Sequence, residues 1–385
     1  MKVLFNYAFA SLFGVATAYI SWSFTPEAVL FSSIIFFSYF YIEKRVTLFF
    51  IIISYYLFAS YGLLTGMINF YDLDYTLAIS LWVVAPLFSS MPWIVFWSKN
   101  KTTRLYLFPI VLFVVIAPPF GFFTWVNPIL SAAVIFPSMG FLGIFLYLFL
   151  LYVIVLSIKY FTGIKQLSIP LISLSMAVLF FAQSSVINKN DLKVLNTKYA
   201  FKNNTVIDEY LRQKNLLKVV NKTQDNTILL PEHILGTFTK SSMIVWDQLK
   251  KNKKIYAGAS VPVRSSKKYH NALLELTKNS HKVIYKQRVP VPFEMWKPFT
   301  KDGATAAIFS PGPTIINNKK VGVFICYEQY LTYTYLDTML ENPDYIIGIS
   351  NLWWLTNSTL INIQKNTLFL WSKLFNIPHY YSVNR

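Results

Sequence analysis

A single cysteine, Cys326, follows the apolar run 321–325, and an acid, Glu328, stands two positions beyond it. Glu232 follows a second short apolar run, Leu229-Leu230-Pro231. Lys286 and Glu294 flank the turn Val289-Pro290-Val291-Pro292-Phe293. A thiol attacks only as the thiolate, and a free cysteine has a pKa near ~8.5. A nearby ammonium favours the thiolate and steadies an oxyanion, while a nearby carboxylate carries the thiol proton to a leaving group. Glu232, Lys286 and Cys326 can therefore do nucleophilic chemistry without a histidine, although Glu and Lys are too common for the set to be specific by itself. His233, His270, His281 and His379 lack metal-ligand spacing and read as surface residues, so no metal is expected.

The elements that would hold these groups follow an α/β pattern. Apolar runs at 227–230, 255–259, 321–325 and 345–349 read as strands, and 240–251 and 330–341 as helices. Run 321–325 is continuous and β-branched, as in a sheet covered on both faces. Catalytic groups in such sheets sit at the C-terminal ends of strands, where Glu232 and Cys326 fall. The lysines at 250–254 and Lys267-Lys268 read as solvated turns.

Residues 1–185 have another character. They hold 8 Lys/Arg and 4 Asp/Glu, against 27 and 13 in 186–385. Over the whole chain, 55% of residues are hydrophobic and only 14% charged. Seven apolar stretches approach the ~20 residues that span a bilayer: 3–23, 27–42, 46–66, 76–97, 104–121, 139–158 and 166–187. The expected domains are thus a transmembrane bundle over 1–187 and a water-soluble domain over 188–385. Ala16-Thr17-Ala18 would suit a cleavage site, but the many later spans favour a retained first helix. All eight basic residues of 1–185 fall at the N-terminus or in alternate loops. The positive-inside rule then puts the N-terminus in the cytoplasm and the soluble domain outside, in the periplasm of a bacterium. No Asp, Glu, Lys or His sits mid-span, which argues against an ion-coupled transporter. The net charge of +18 suits an anionic bilayer better than nucleic acid, because the basic residues form no arginine-rich run.

The segments Leu230-Pro231-Glu232, Tyr285-Lys286 and Gly322-Val323-Phe324-Ile325-Cys326-Tyr327-Glu328 resemble, in order, the three triad segments of the nitrilase, or carbon–nitrogen hydrolase, superfamily. The helices ahead of them, with Glu294 eight residues beyond Lys286, are similar to the apolipoprotein N-acyltransferase branch. The resemblance implies an αββα sandwich outside the membrane and a catalytic triad of Glu232, Lys286 and Cys326. Glu294 and Glu328 would orient Lys286 or the substrate amine, and Asn351, Trp353 and Trp354 would line a substrate groove. It further implies no cofactor, a phospholipid acyl donor, a Cys326 thioester, and a lipoprotein N-terminal amine or similar acceptor. The family turn carries a Gly before its second Glu, where Phe293 precedes Glu294 directly. The family also continues into further strands and a last transmembrane helix beyond the point matching Ser382-Val383-Asn384-Arg385. Shortened relatives of that kind occur among conjugal-transfer proteins of the TraB type. The open alternatives are a conjugal-transfer membrane protein of altered activity and a membrane-anchored amidase.

Overall fold

The computed structural model describes residues 2–71, 74–160, 192–200, 205–355 and 359–385. The N-terminal part is helical. Helix α1 (Lys2–Trp22) is followed by a 3-10 turn, Pro26–Ser32, that runs into α2 (Ser33–Tyr41). Then come α3 (Arg45–Ser60), α4 (Gly62–Tyr71), α5 (Tyr75–Val95), α6 (Lys101–Ile116), the short α7 (Ala132–Ile135) and α8 (Gly140–Tyr160). Asp74 and Asn100 cap α5 and α6 by accepting from the second and third amides of each helix.

Among the described residues three helices are long and apolar enough to cross a bilayer: Leu4–Trp22, Tyr75–Val95 and Gly140–Tyr160. The pair Arg45–Ser60 and Gly62–Ile68, bent by 49°, makes a fourth if it is one span. The expected count of about seven is thus not reached among the described residues. Stretch 27–42 folds as a 3-10 turn plus a nine-residue helix, and 104–121 as the 16-residue α6. At 1.5 Å per residue α6 reaches only about 24 Å. The expected span 166–187 and the domain boundary at 187/188 lie outside the described residues. Residues 128–135, bounded by prolines, are packed inside the protein: Leu130, Ala132 and Ala133 are in the core.

Basic residues gather at one end of this bundle. Arg104 donates to the carbonyls of Tyr39, Phe40 and Ile42, Arg45 to that of Trp97, and Lys159 to Thr102. The other end meets the α/β domain, where Asn362 and Asn366 donate to the carbonyls of Ser23 and Phe24.

That domain has two sheets. The first runs β1 (Lys193–Val194), β2 (Thr227–Leu229), β3 (Lys254–Pro262), β4 (Lys267–Thr277), β5 (Ser280–Lys286), with β6 (Asp302–Ala304) also pairing β4. The second runs β10 (His379–Asn384), β9 (Tyr345–Asn351), β8 (Lys319–Ile325), β7 (Pro313–Ile316). Strands β8, β9 and β10 are mutually parallel, and so are β1, β2 and β3. The facing sides interlock through Leu229, Tyr256 and Leu273 from one sheet and Val321, Val323, Ile347 and Ile349 from the other. Helices α9 (Val206–Lys222) and α10 (Lys240–Trp246) cover the outside of the first sheet; Leu216, Val220 and Trp246 pack on Ile228, Ile255 and Leu274. Helices α11 (Thr332–Leu340) and α12 (Thr359–Phe375) cover the second, with Tyr335 stacked 4.0 Å over Phe324 and 5.2 Å from Trp371. The expected αββα layering is therefore present. Lys267-Lys268, read as a turn, opens β4 instead. This pairing buries the strand that follows, which the lysines hide from a periodicity reading.

The bundle and the second sheet share one apolar core. It runs from Trp22, Tyr55 and Trp125 through Tyr327, Tyr330 and Leu360 to Phe324 and Trp371.

Candidate active site

Cys326 stands immediately beyond β8 with φ +46°, a left-handed conformation that costs a non-glycine residue roughly 1–3 kcal/mol. The surroundings hold it there. Gln364 on α12 donates to the Cys326 carbonyl at 3.0 Å, and Tyr381 fixes Gln364 at 2.7 Å. On the other side, Glu328 Oε2 accepts from the Ile325 amide at 2.8 Å.

Glu232 reaches the same place from β2. The segment Leu230-Pro231-Glu232 crosses β3 so closely that a Cβ on Gly258 would lie 2.4 Å from the Glu232 Cα. Only glycine permits that crossing. The carboxyl is buried; Oε1 accepts from Asn271 at 2.7 Å and Oε2 from the Asn351 amide at 2.9 Å. The Cys326 thiol lies beside it, close enough that each group shifts the other's titration. Burial raises the Glu232 carboxyl to about 7, against the lowering pull of Asn271, the thiol and Asn351. Burial and the adjacent Glu232 push the Cys326 thiol well above the usual cysteine range. Both shifts favour the neutral forms of carboxyl and thiol.

Lys286 is not with them. It ends β5 paired with Ala272, its side chain is exposed, and it does not line the cavity around Cys326. It is the next residue, Gln287, just beyond the strand end, that points inward. Gln287 is 1% exposed, donates to the Ile325 carbonyl at 2.8 Å and accepts from Asn271 at 2.9 Å. The expected Glu-Lys-Cys cluster is therefore corrected to Glu232, Cys326 and the amides of Asn271 and Gln287, with Lys286 outside.

Glu328 is fully buried and clamps backbone rather than orienting Lys286. Its Oε1 accepts from the Arg288 amide at 2.6 Å, the Val289 amide at 3.3 Å and Tyr285 Oη at 3.0 Å. Arg288, also fully buried, pairs with Asp337 at 2.6 Å. Glu328 thereby ties the exit of β5 to the end of β8.

Glu294, Asn351 and Trp354 do line the cavity; Trp353 does not. Burial raises the Glu294 carboxyl, with Lys297 pulling the other way. Trp354 donates to the Asn351 carbonyl at 3.1 Å, and its indole rests on Gly66 of α4, where a Cβ would lie 2.2 Å from the ring. His233 is a cavity residue too, not a surface one: its Nδ1 lies 3.1 Å from Ser260 Oγ, and burial, with Arg212 nearby, lowers it to about 4. His233 and Gln287 directly follow Glu232 and Lys286 in the sequence, but no motif singles out either of them or Asn271. Among the described residues no group of His, Cys, Asp or Glu could hold a metal ion.

The cavity measures about 770 Å³ and is mostly apolar. One wall is Leu63 and Met67 of α4 with Leu81, Val84 and Phe88 of α5; another is Phe293, Trp296 and Phe299 of the loop after β5. Val84 and Phe299 are themselves largely exposed, so the cavity opens between the apolar helices and the α/β domain. Among the described residues no Lys or Arg lines it.

No family model matches this chain. It is 26% identical over 348 residues to "Probable conjugal transfer protein TraB" of Sinorhizobium fredii (strain NBRC 101917 / NGR234), covering 86% of each chain. It is 23% identical over 352 residues to "Conjugal transfer protein TraB" of Agrobacterium fabrum (strain C58 / ATCC 33970), covering 84% of this chain and 80% of that one. Among solved structures, a carbon-nitrogen hydrolase from Helicobacter pylori G27 matches with TM-score 0.37 and 16% identity, over 50% of this chain and 72% of the other. A mutant of the Nesterenkonia AN1 amidase from the nitrilase superfamily matches with TM-score 0.38 and 8% identity, over 50% of this chain and 75% of the other. Along most of its length, then, this chain is similar to the TraB conjugal transfer proteins, the shortened kind of relative that its motifs suggested.

Proposed function

We propose that this chain is a membrane acyltransferase serving conjugal transfer, in which Cys326 takes an acyl group from a phospholipid as a thioester and passes it to an amine. The observation that carries the reading is the cavity: an apolar space between membrane-type helices ends on an adjacent thiol and carboxyl. A 770 Å³ apolar volume suits an acyl chain. The TraB likeness supplies the setting, and a lipoprotein N-terminus is one candidate acceptor.

In the first half-reaction Glu232, as carboxylate, takes the Sγ proton while sulfur bonds the ester carbonyl carbon. The tetrahedral adduct collapses with loss of the C–O bond, and Glu232 returns the proton to the leaving oxygen, giving a lysophospholipid. In the second, the acceptor nitrogen attacks the thioester carbon, Glu232 takes a proton from nitrogen, and the departing sulfur receives it. Asn271 and Asn351 hold the carboxylate in line through both. The basic end of the bundle would face the cytoplasm of the inner membrane and the α/β domain the periplasm.

Lys286 favours a second reading. With no cation lining the cavity among the described residues, neither the thiolate nor an oxyanion has a charged partner. The domain would then hold a lipid in the conjugation apparatus with altered or slow turnover. Mass spectrometry of the protein after incubation with phospholipid separates the two. An acyl adduct on Cys326, absent in Cys326→Ser, is expected; an unmodified Cys326 would leave the lipid-holding reading.

A further inference from the structure

The opposite end of the bundle contains a second cleft, of about 640 Å³, which acyl transfer does not use. Its walls are Tyr7 of α1, residues 43–46 at the α2–α3 turn and residues 97–99 at the α5–α6 turn.

Three observations bear on what it takes. Lys44, Arg45 and Lys99 line it, while its acid, Glu43, lies 4.0 Å from Lys101. Helix α3 begins here with no side chain capping its first amides, a backbone arrangement suited to oxyanions. Trp97 is only 5% exposed, and its Nε1–H has no acceptor among the described residues. Arg104 and Arg45 lie 4.5 and 5.5 Å from the centre of its ring. The guanidinium groups thus take the indole's π system and leave its N–H as a spare donor.

The cleft is also rigidly built. Arg104, 1% exposed, donates to the Ser98 carbonyl on one turn and to those of Tyr39, Phe40 and Ile42 on the other. Arg45 donates to the Trp97 carbonyl at 2.9 Å. The two turns that present Lys44, Arg45 and Lys99 are therefore held at a fixed spacing before any ligand arrives. An arginine fork, two ammonium groups, helix amides and an indole N–H are all donors, and a tetrahedral dianionic or monoanionic oxyanion accepts from all of them.

We propose that this cleft binds a phosphate group, either that of an anionic lipid headgroup or free phosphate. The inference does not depend on the acyl-transfer reading, because the cleft lies at the far end of the bundle from Cys326.

The test uses the full chain in phosphatidylcholine nanodiscs, with and without phosphatidylglycerol. Inorganic phosphate is titrated calorimetrically into the first, and lipid retained by the protein is weighed by native mass spectrometry from the second. Trp97→Phe keeps the stacked ring and removes the donor; Lys44→Gln with Lys99→Gln removes charge without touching Arg104. Each is expected to weaken binding by about tenfold, the equivalent of one lost hydrogen bond or charge contact. Phosphate binding without lipid retention supports the free ion as ligand, and retention of phosphatidylglycerol alone supports the headgroup. Neither ligand binding, or unchanged binding in both folded variants, overturns the proposal.

Discussion

The Gln287 side chain donates to the Ile325 carbonyl at 2.8 Å, which places a neutral amide directly behind Cys326. The adjacent Lys286 points to solvent. Lys286→Gln should accordingly leave Cys326 acylation within about twofold of the parent, as for surface substitutions. Gln287→Lys should bring a cation to the thiol and raise its alkylation rate by iodoacetamide at neutral pH by about tenfold or more, one pKa unit being a factor of ten. A large loss of acylation in Lys286→Gln would show that the exposed lysine works after all.

The sequence made Cys326 and Glu232 legible because both follow short apolar strands, and strand ends are where parallel sheets present chemistry. Lys286 misled for a specific reason. It is the last residue of β5 and exposed, whereas Gln287, just beyond the strand end, is buried, so one residue decides between solvent and site. Glu328 was visible as a residue but not as a clamp, since its partners Tyr285 and Arg288 come from the end of β5 and the segment just beyond it, in the other sheet's half of the domain. The cavity was illegible because α4, α5 and the loop after β5 build it jointly across long stretches of sequence. Hydropathy found the long helices α1, α5 and α8, while the apolar stretches 27–42 and 104–121 fold as shorter helices among the described residues.

Glu232 sets a pH dependence. It must be ionised to accept the thiol proton, and burial raises it to about 7. Acylation of Cys326 should therefore fall below pH 7 and level off above it, and Glu232→Gln should abolish it. Stability should run the other way. A carboxyl raised in the folded state binds more protons than in the unfolded chain, so stability declines as pH rises from the ordinary glutamate range toward 7 and is then flat. Thermal denaturation in detergent should show Glu232→Gln gaining on the parent at pH 8 relative to pH 5. Parallel curves for the two proteins would contradict the raised pKa.

Glu328→Ala should be among the most damaging single changes. It removes the acceptor of three backbone amides and strips one partner from fully buried Arg288. Breaking such a buried pair costs on the order of 3–5 kcal/mol. A denaturation midpoint unchanged from the parent would mean that water or Asp337 compensates fully.

Gly66→Ala should disturb the cavity from the membrane side. The new methyl would lie 2.2 Å from the Trp354 ring, which must move. Overpacking of this kind costs typically 1–3 kcal/mol. Acyl-adduct formation on Cys326 should drop several-fold while Glu232 and Cys326 themselves are untouched; an unaltered rate would remove Trp354 from the substrate wall.

Tyr327, the residue after the nucleophile, donates its hydroxyl to the Phe122 carbonyl in the bundle, and its ring packs on Trp125. The α/β domain is therefore not a passenger on a detachable anchor. Grafting it onto a foreign membrane helix would leave Tyr327, Tyr330 and the α12 face without the surface they were shaped against, and would strip the cavity of one of its walls. Evolution of such a protein has to proceed in matched steps, with changes near Phe122 and Trp125 answered on the loop that carries Cys326.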